Sequence, residues 1–94
     1  MIKSIQHKGL KLLWQKNDGS KLPAMQLNKI KFILQIIDEL EDVPCDLVDL
    51  VSFRPHPLKG NLEGFWSLNV TGNYRVIFRF YHKNAFDLDY LDTH

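Results

Sequence analysis

With 94 residues the chain has room for one domain around one modest core, and its 45% hydrophobic and 24% charged content is globular rather than disordered or fibrous. Its longest apolar-rich stretch, Leu27 to Leu40, is interrupted by Lys29, Lys31, Gln35, Asp38 and Glu39, which excludes a membrane span. Met1-Ile2-Lys3-Ser4 lacks a signal-peptide pattern, and the one cysteine, Cys45, cannot form an internal disulfide, so a cytoplasmic protein is expected.

The formal charge of +1 hides segregation. Seven lysines and one acid, Asp18, lie between Met1 and Gln35, whereas six acids and no base lie between Asp38 and Asp49. A lysine-rich first third can attract a polyanion, although solvated helix faces explain surface lysines equally well.

In chain order, Ile2 to Ile5 reads as a short strand. His7 to Lys16 reads as a helix with Leu10, Leu13 and Trp14 on one face. Asn17 to Ser20 is a loop by composition, and Pro23 suits the first turn of a second helix. That helix carries a stripe of Leu27, Ile30, Leu34 and Ile37, with Val43-Pro44 as its expected end. Asp46 is placed to cap one further turn, Leu47 to Val51.

Beyond Pro55 and Pro57 the pattern alternates. Trp66, Leu68 and Val70 share one strand face, and Gly72-Asn73 offers a turn tolerant of positive φ. Tyr74, Val76, Phe78 and Phe80 then form a core face. Arg75, Ile77, Arg79 and Tyr81 form an opposite, open one. His82-Lys83-Asn84 is the next turn, and Phe86, Leu88 and Tyr90 continue the core face. The expected architecture is α+β, one domain over 1–94, with two N-terminal helices packed on a C-terminal antiparallel meander and a short N-terminal strand.

Four features bear on chemistry. Prolines on both sides of His56 restrict the backbone that presents an imidazole able to move protons near neutral pH. Lys59 follows three residues later, and Gly60 permits a tight turn. Arg75 and Arg79 point to one side, about 13 Å apart at strand rise, and fixed guanidiniums stabilise charge developing on a phosphodiester. Salt bridges from these arginines to Asp87 and Asp89 are the structural alternative, an even contest for Arg79. The terminal Asp92-Thr93-His94 offers an acid or base in His94, with Asp92 orienting or polarising a partner. Strict alternation puts Asp92 on the core side, so the strand must end or twist by Leu91 if Asp92 is to reach a site. No metal-binding spacing, dinucleotide fingerprint or nucleophile elbow is present, so no cofactor or metal is expected.

Taken in order, His7-Lys8-Gly9-Leu10-Lys11-Leu12-Leu13, Asp18-Gly19-Ser20, Leu22-Pro23, His56-Pro57-Leu58-Lys59-Gly60, Gly64-Phe65-Trp66-Ser67, Asn73-Tyr74-Arg75, Phe78 and Asp92-Thr93-His94 carry a resemblance over nearly the whole chain. The sequence resembles the HigB toxins (plasmid maintenance killer proteins), a branch of the RelE superfamily of toxin–antitoxin systems. The resemblance implies a RelE-like fold and a ribosome-dependent mRNA endonuclease that acts without a metal, by attack of the 2′-OH on the adjacent phosphate. It also implies neutralisation by a helix-turn-helix, HigA-like antitoxin. DNA would be engaged only indirectly, through the antitoxin complex, and no membrane would be involved.

By the same resemblance, His56, Lys59, Asn73, Arg75, Asp92 and His94 fall on active-site positions. Lys59 and Arg75 would stabilise the phosphate, Asp92 with His56 or His94 would transfer protons, and Asn73 would hold backbone or base. The expected substrate-binding residues are Asn73, Arg79 and Lys8. Thr71 stands where some members have a basic residue, and Thr93 where some have tyrosine. Two rival readings are a non-catalytic poison of the same fold that blocks a protein such as gyrase, and a degenerate toxin kept as a regulatory partner of its antitoxin.

Overall fold

In a computed structural model, which describes residues 1–92, the first helix, α1, spans Lys8–Lys16, one residue short of expectation because His7 is its cap. His7 keeps extended backbone while its Nδ1 accepts from the N–H of Gly9 and Leu10, at 3.0 and 3.3 Å. A Cβ on Gly9 would lie 3.0 Å from that imidazole, so the glycine makes room for the cap. Asn17 closes the helix in the left-handed conformation, at φ 54°.

Pro23 starts a single 3₁₀ turn, Ala24–Gln26, which leads into α2, Leu27–Glu39. Ile30, Ile33, Leu34 and Ile37 are buried, as the stripe predicts. The helix stops short of Val43-Pro44, because Leu40 turns extended and buries its side chain while Asp38 and Glu39 oppose the negative end of the helix dipole. Asp46 does not cap a following turn. Its Oδ2 reaches back to accept from the N–H of Glu41 and Asp42 at 2.8 and 3.0 Å, which holds its carboxyl below the usual range. Two 3₁₀ turns, Cys45–Leu47 and Val51–Phe53, replace the expected Leu47 to Val51 turn.

Four antiparallel strands follow in spatial order: β1 (His56–Pro57), β2 (Trp66–Asn69), β3 (Tyr74–Tyr81) and β4 (Asn84–Asp92). The β2–β3 hairpin forms where expected, but neither Gly72 nor Asn73 takes positive φ. Instead the Thr71 hydroxyl accepts from the N–H of Asn73 and Tyr74, both at 3.3 Å. The β3–β4 turn does need positive φ, at His82 (48°) and Lys83 (65°), the pattern that matches strand twist.

A bulge in β4 changes the side-chain parity. The register runs Ile77↔Asp89 and then Arg79↔Phe86, with Asp87 at φ 56°. The Asp87 N–H, freed from the ladder, donates to Ser4 Oγ at 2.8 Å. Leu88 and Tyr90 therefore keep the core side, while Ala85 replaces Phe86 there and Phe86 moves to the opposite face. The N-terminal segment lies along β4 through isolated parallel bridges, Ile2↔Ala85 and Ile5↔Leu88, rather than a continuous strand.

The helices cover one sheet face, where Leu10, Leu13, Ile30, Ile33, Leu34 and Ile37 meet Leu68, Val76, Phe78 and Leu88 in one cluster. The far face is less open than alternation predicts. Ser67 (0% exposed) and Ile77 (1%) are buried at its centre, and Phe65 is buried too.

Candidate active site

The crossover from helices to sheet builds the imidazole's seat. Phe53 is buried and ends the Val51–Phe53 turn, and Arg54 follows in the left-handed conformation at φ 47°, ψ 58°, a sparsely populated region for a branchless cation and one that recurs at functional sites. The bend brings the Arg54 carbonyl to 2.9 Å from His56 Nδ1. A carbonyl only accepts, so Nδ1 carries the proton and, in the neutral ring, Nε2 keeps its lone pair for a substrate. Lys59 is exposed on extended backbone, and Gly60 behind it takes φ 69° to open the Gly60–Leu62 turn.

Register decides which groups share a face. His56, Ser67, Ile77 and Asp89 form one cross-strand row, and Asn69, Arg75 and Leu91 form the next row on the same side. At sheet spacings the Cα atoms of His56 and Arg75, two strands and one row apart, are separated by about 12 Å. Arg75 lies in an open cleft of about 480 Å³ with Lys29, Ser52, Arg54, Asn69 and Thr71. His56 and Lys59 are not among its lining residues, so the described residues form a shared face rather than a single pocket. Lys29 and Arg54 are cations that the sequence reading passed over. Lys29 is placed by the Phe53 ring, 5.6 Å from its ammonium, and no carboxylate of the described residues lines the cleft.

The other expected residues lie apart from this cleft. Strand β4 neither ends nor twists away at Leu91 but runs through Asp92, which pairs with Tyr74 on the helix side of the sheet. There Tyr74 and Tyr90 stack with centroids 5.4 Å apart, His7 meets Tyr90 edge-on at 5.5 Å, and the Tyr90 hydroxyl donates to Gln26 Oε1. Burial foremost, then Tyr74 and the Asp92 charge, push the Tyr90 hydroxyl up to about 12. Lys8 is exposed at the start of α1, and Asn73 is exposed in the hairpin turn. His94, with Thr93, lies outside the described residues. Arg79 sits over the Phe65 ring at 4.5 Å, with Nε 3.7 Å from Asp87 Oδ2, two rows from Arg75 and away from the cleft. The structural alternative thus describes its contacts.

Among the described residues, no group of three or more His, Cys, Asp or Glu is placed to hold a metal ion, and no helix is long and apolar enough to cross a membrane. The exposed Cys45 thiol is raised, chiefly by the Asp42 charge, which makes it a poor nucleophile.

A model of the family described as RelE-like toxin of type II toxin–antitoxin system HigB matches residues 3–94. The chain is 42% identical over 94 residues to a Proteus vulgaris protein named Endoribonuclease HigB, covering 100% of both. In fold it is similar to YafQ from E. coli strain BL21(DE3), at TM-score 0.56 and 18% identity, covering 94% of this chain and 89% of that one. It is also similar to a chain of the YoeB–YefM complex from Staphylococcus aureus, at TM-score 0.53 and 21% identity, covering 97% and 95%.

Proposed function

The chain belongs to the HigB-like toxins of type II toxin–antitoxin systems, and from that premise we propose that it is an endoribonuclease that cuts messenger RNA on the ribosome. The observation that carries this reading is the 42% identity, over the full length of both chains, with a protein named as an endoribonuclease.

The chemistry asks little of the protein beyond positioning, proton transfer and charge stabilisation. The ribose 2′ oxygen forms a new bond to phosphorus while the bond from phosphorus to the 5′ oxygen breaks. A proton leaves the 2′-OH and another reaches the 5′ oxygen, yielding a 2′,3′-cyclic phosphate and a 5′-hydroxyl. His56 is the base, because its Nδ1–H is held by the Arg54 carbonyl, which leaves the lone pair of the neutral ring on Nε2. Arg75 and Lys59 stabilise the charge gathering on the non-bridging oxygens. Asp92, at the end of β4, and His94 supply the second proton-transfer function, which requires the RNA to reach around the sheet end at Tyr74. Asn73 holds backbone or base at the hairpin tip, and Lys8 attracts the strand from the α1 side. Arg79 is left out, since Phe65 and Asp87 engage it. No step passes through a metal.

A type II toxin has an antitoxin, and the one that fits this branch is a small HigA-like helix-turn-helix protein that carries the toxin to DNA only indirectly. The setting is the cytoplasm. The test is incubation of the purified chain with messenger RNA, free and on ribosomes. Cleavage is expected only on ribosomes, and is expected to be indifferent to a chelator at fixed ribosome integrity. Intact message in both samples would reject the reading.

A further inference from the structure

The Lys29–Arg54–Arg75 cleft holds more cation than one scissile phosphate requires. Its three cations come from α2, the crossover and β3, so separate segments of chain converge on one groove with no carboxylate among the described residues that line it. Surface lysines spread on helix faces do not have this property. Two placements are specific: the Lys29 ammonium is seated by the Phe53 ring, and Arg54 accepts an unfavourable left-handed backbone at the cleft wall. A third sign is independent of charge. Asn69 lines the cleft, and its Oδ1 is buried with no hydrogen-bond partner among the described residues. A buried amide oxygen without a donor is uncommon and calls for one.

The geometry points to a second substrate position: Lys29 and Arg54 bind a phosphate of the RNA strand next to the scissile one, and Asn69 accepts a hydrogen bond from that nucleotide's ribose hydroxyl or base amino group. One nucleotide meets both demands, since its phosphate answers the cations and its sugar or base supplies the donor. Arg54 then has two duties. Its carbonyl orients His56 while its guanidinium holds the strand, so the same bend that fixes the base also fixes the RNA beside it. The inference rests on the ribonuclease reading for the identity of the ligand.

The test uses a single-stranded RNA oligonucleotide with its ribose hydroxyls intact, kept free of ribosomes so that it stays uncut, and measures affinity across about 50 to 200 mM salt. Arg54→Asn keeps the carbonyl and a residue tolerant of positive φ, and Lys29→Gln keeps the helix, so the double variant is expected to fold. Losing two phosphate contacts is expected to reduce the slope of log affinity against log salt by about 1.4, at about 0.7 per contact on a single strand. A control double variant, Lys16→Gln with Lys83→Gln, removes equal charge outside the cleft and is expected to leave the slope unchanged. An unchanged slope in the cleft variant, an equal loss in the control, or no salt-dependent binding by the parent chain would each overturn the second position. The ribonuclease reading is separate: it fails if the parent chain binds RNA but cuts no message on ribosomes.

Discussion

A single hydrogen bond, from His56 Nδ1 to the Arg54 carbonyl, sets what the imidazole can do. It fixes the tautomer and leaves Nε2 as the acceptor of the neutral ring, which suits the proposed role as base. Arg75, two strands away on the same face, is the charge-stabilising partner in the proposed mechanism. Arg75→Ala is expected to lower cleavage by about 10²- to 10³-fold, the usual cost of removing a fixed donor to a developing oxyanion. Its unfolding midpoint and antitoxin binding should stay close to those of the parent chain, and unchanged growth arrest on induction would reject the role. His7, although also a histidine in a family motif, has a structural task. His7→Ala is expected to cost about 1 kcal/mol in unfolding free energy through the lost helix cap, with cleavage retained by the folded protein. The fixed backbone at His56 was legible in the sequence through its flanking prolines. Arg54 and Lys29 were not, because a left-handed arginine before proline and a lysine seated on a ring are tertiary facts with no periodic signal.

At the scale of elements, the apolar stripes foretold both helices and the alternating run foretold the meander. Two boundaries shifted for local reasons that composition does not announce: Leu40 turned inward to the core, and Asp46 bonded backward to Glu41 and Asp42. The largest departure was the bulge at Asp87, which exchanged Ala85 for Phe86 in the core. Nothing in the alternation of Phe86, Leu88 and Tyr90 signals a skipped residue. Phe78 sits on β3 opposite that irregularity and is completely buried. Phe78→Ala is expected to destabilise by about 3–5 kcal/mol, and to cost activity only in proportion to the folded fraction lost. An equilibrium denaturation curve with an unchanged midpoint would show that the bulged sheet is not the centre of the core.

Across the whole molecule, the tyrosine cluster ties the N-terminus of α1, the turn before α2 and the last strand together. The Tyr90 hydroxyl, raised to about 12 from an ordinary 10.0, remains neutral in the folded chain where an unfolded chain would ionise. The unfolded state therefore binds fewer protons across that window, so stability is complete below about pH 10 and falls as pH rises towards 12. Tyr90→Phe should flatten this alkaline slope in pH-dependent unfolding, and an equally steep slope would assign it to other groups. The face that Asp92 takes was legible in the sequence, whereas the bend by Leu91 that would carry it to the other face does not occur. Alternation put it on the helix side, the chemistry asked for the other, and β4 kept the alternation to its last described residue.

The central claim is that the face bearing His56 and Arg75 cuts messenger RNA. Its most direct test is sequencing of messenger RNA 5′ ends minutes after induction of the parent chain or Arg75→Ala. New 5′-hydroxyl ends inside translated reading frames with the parent chain, and none with the variant, are the predicted result. Growth arrest without new ends, or the same ends from both proteins, would contradict it.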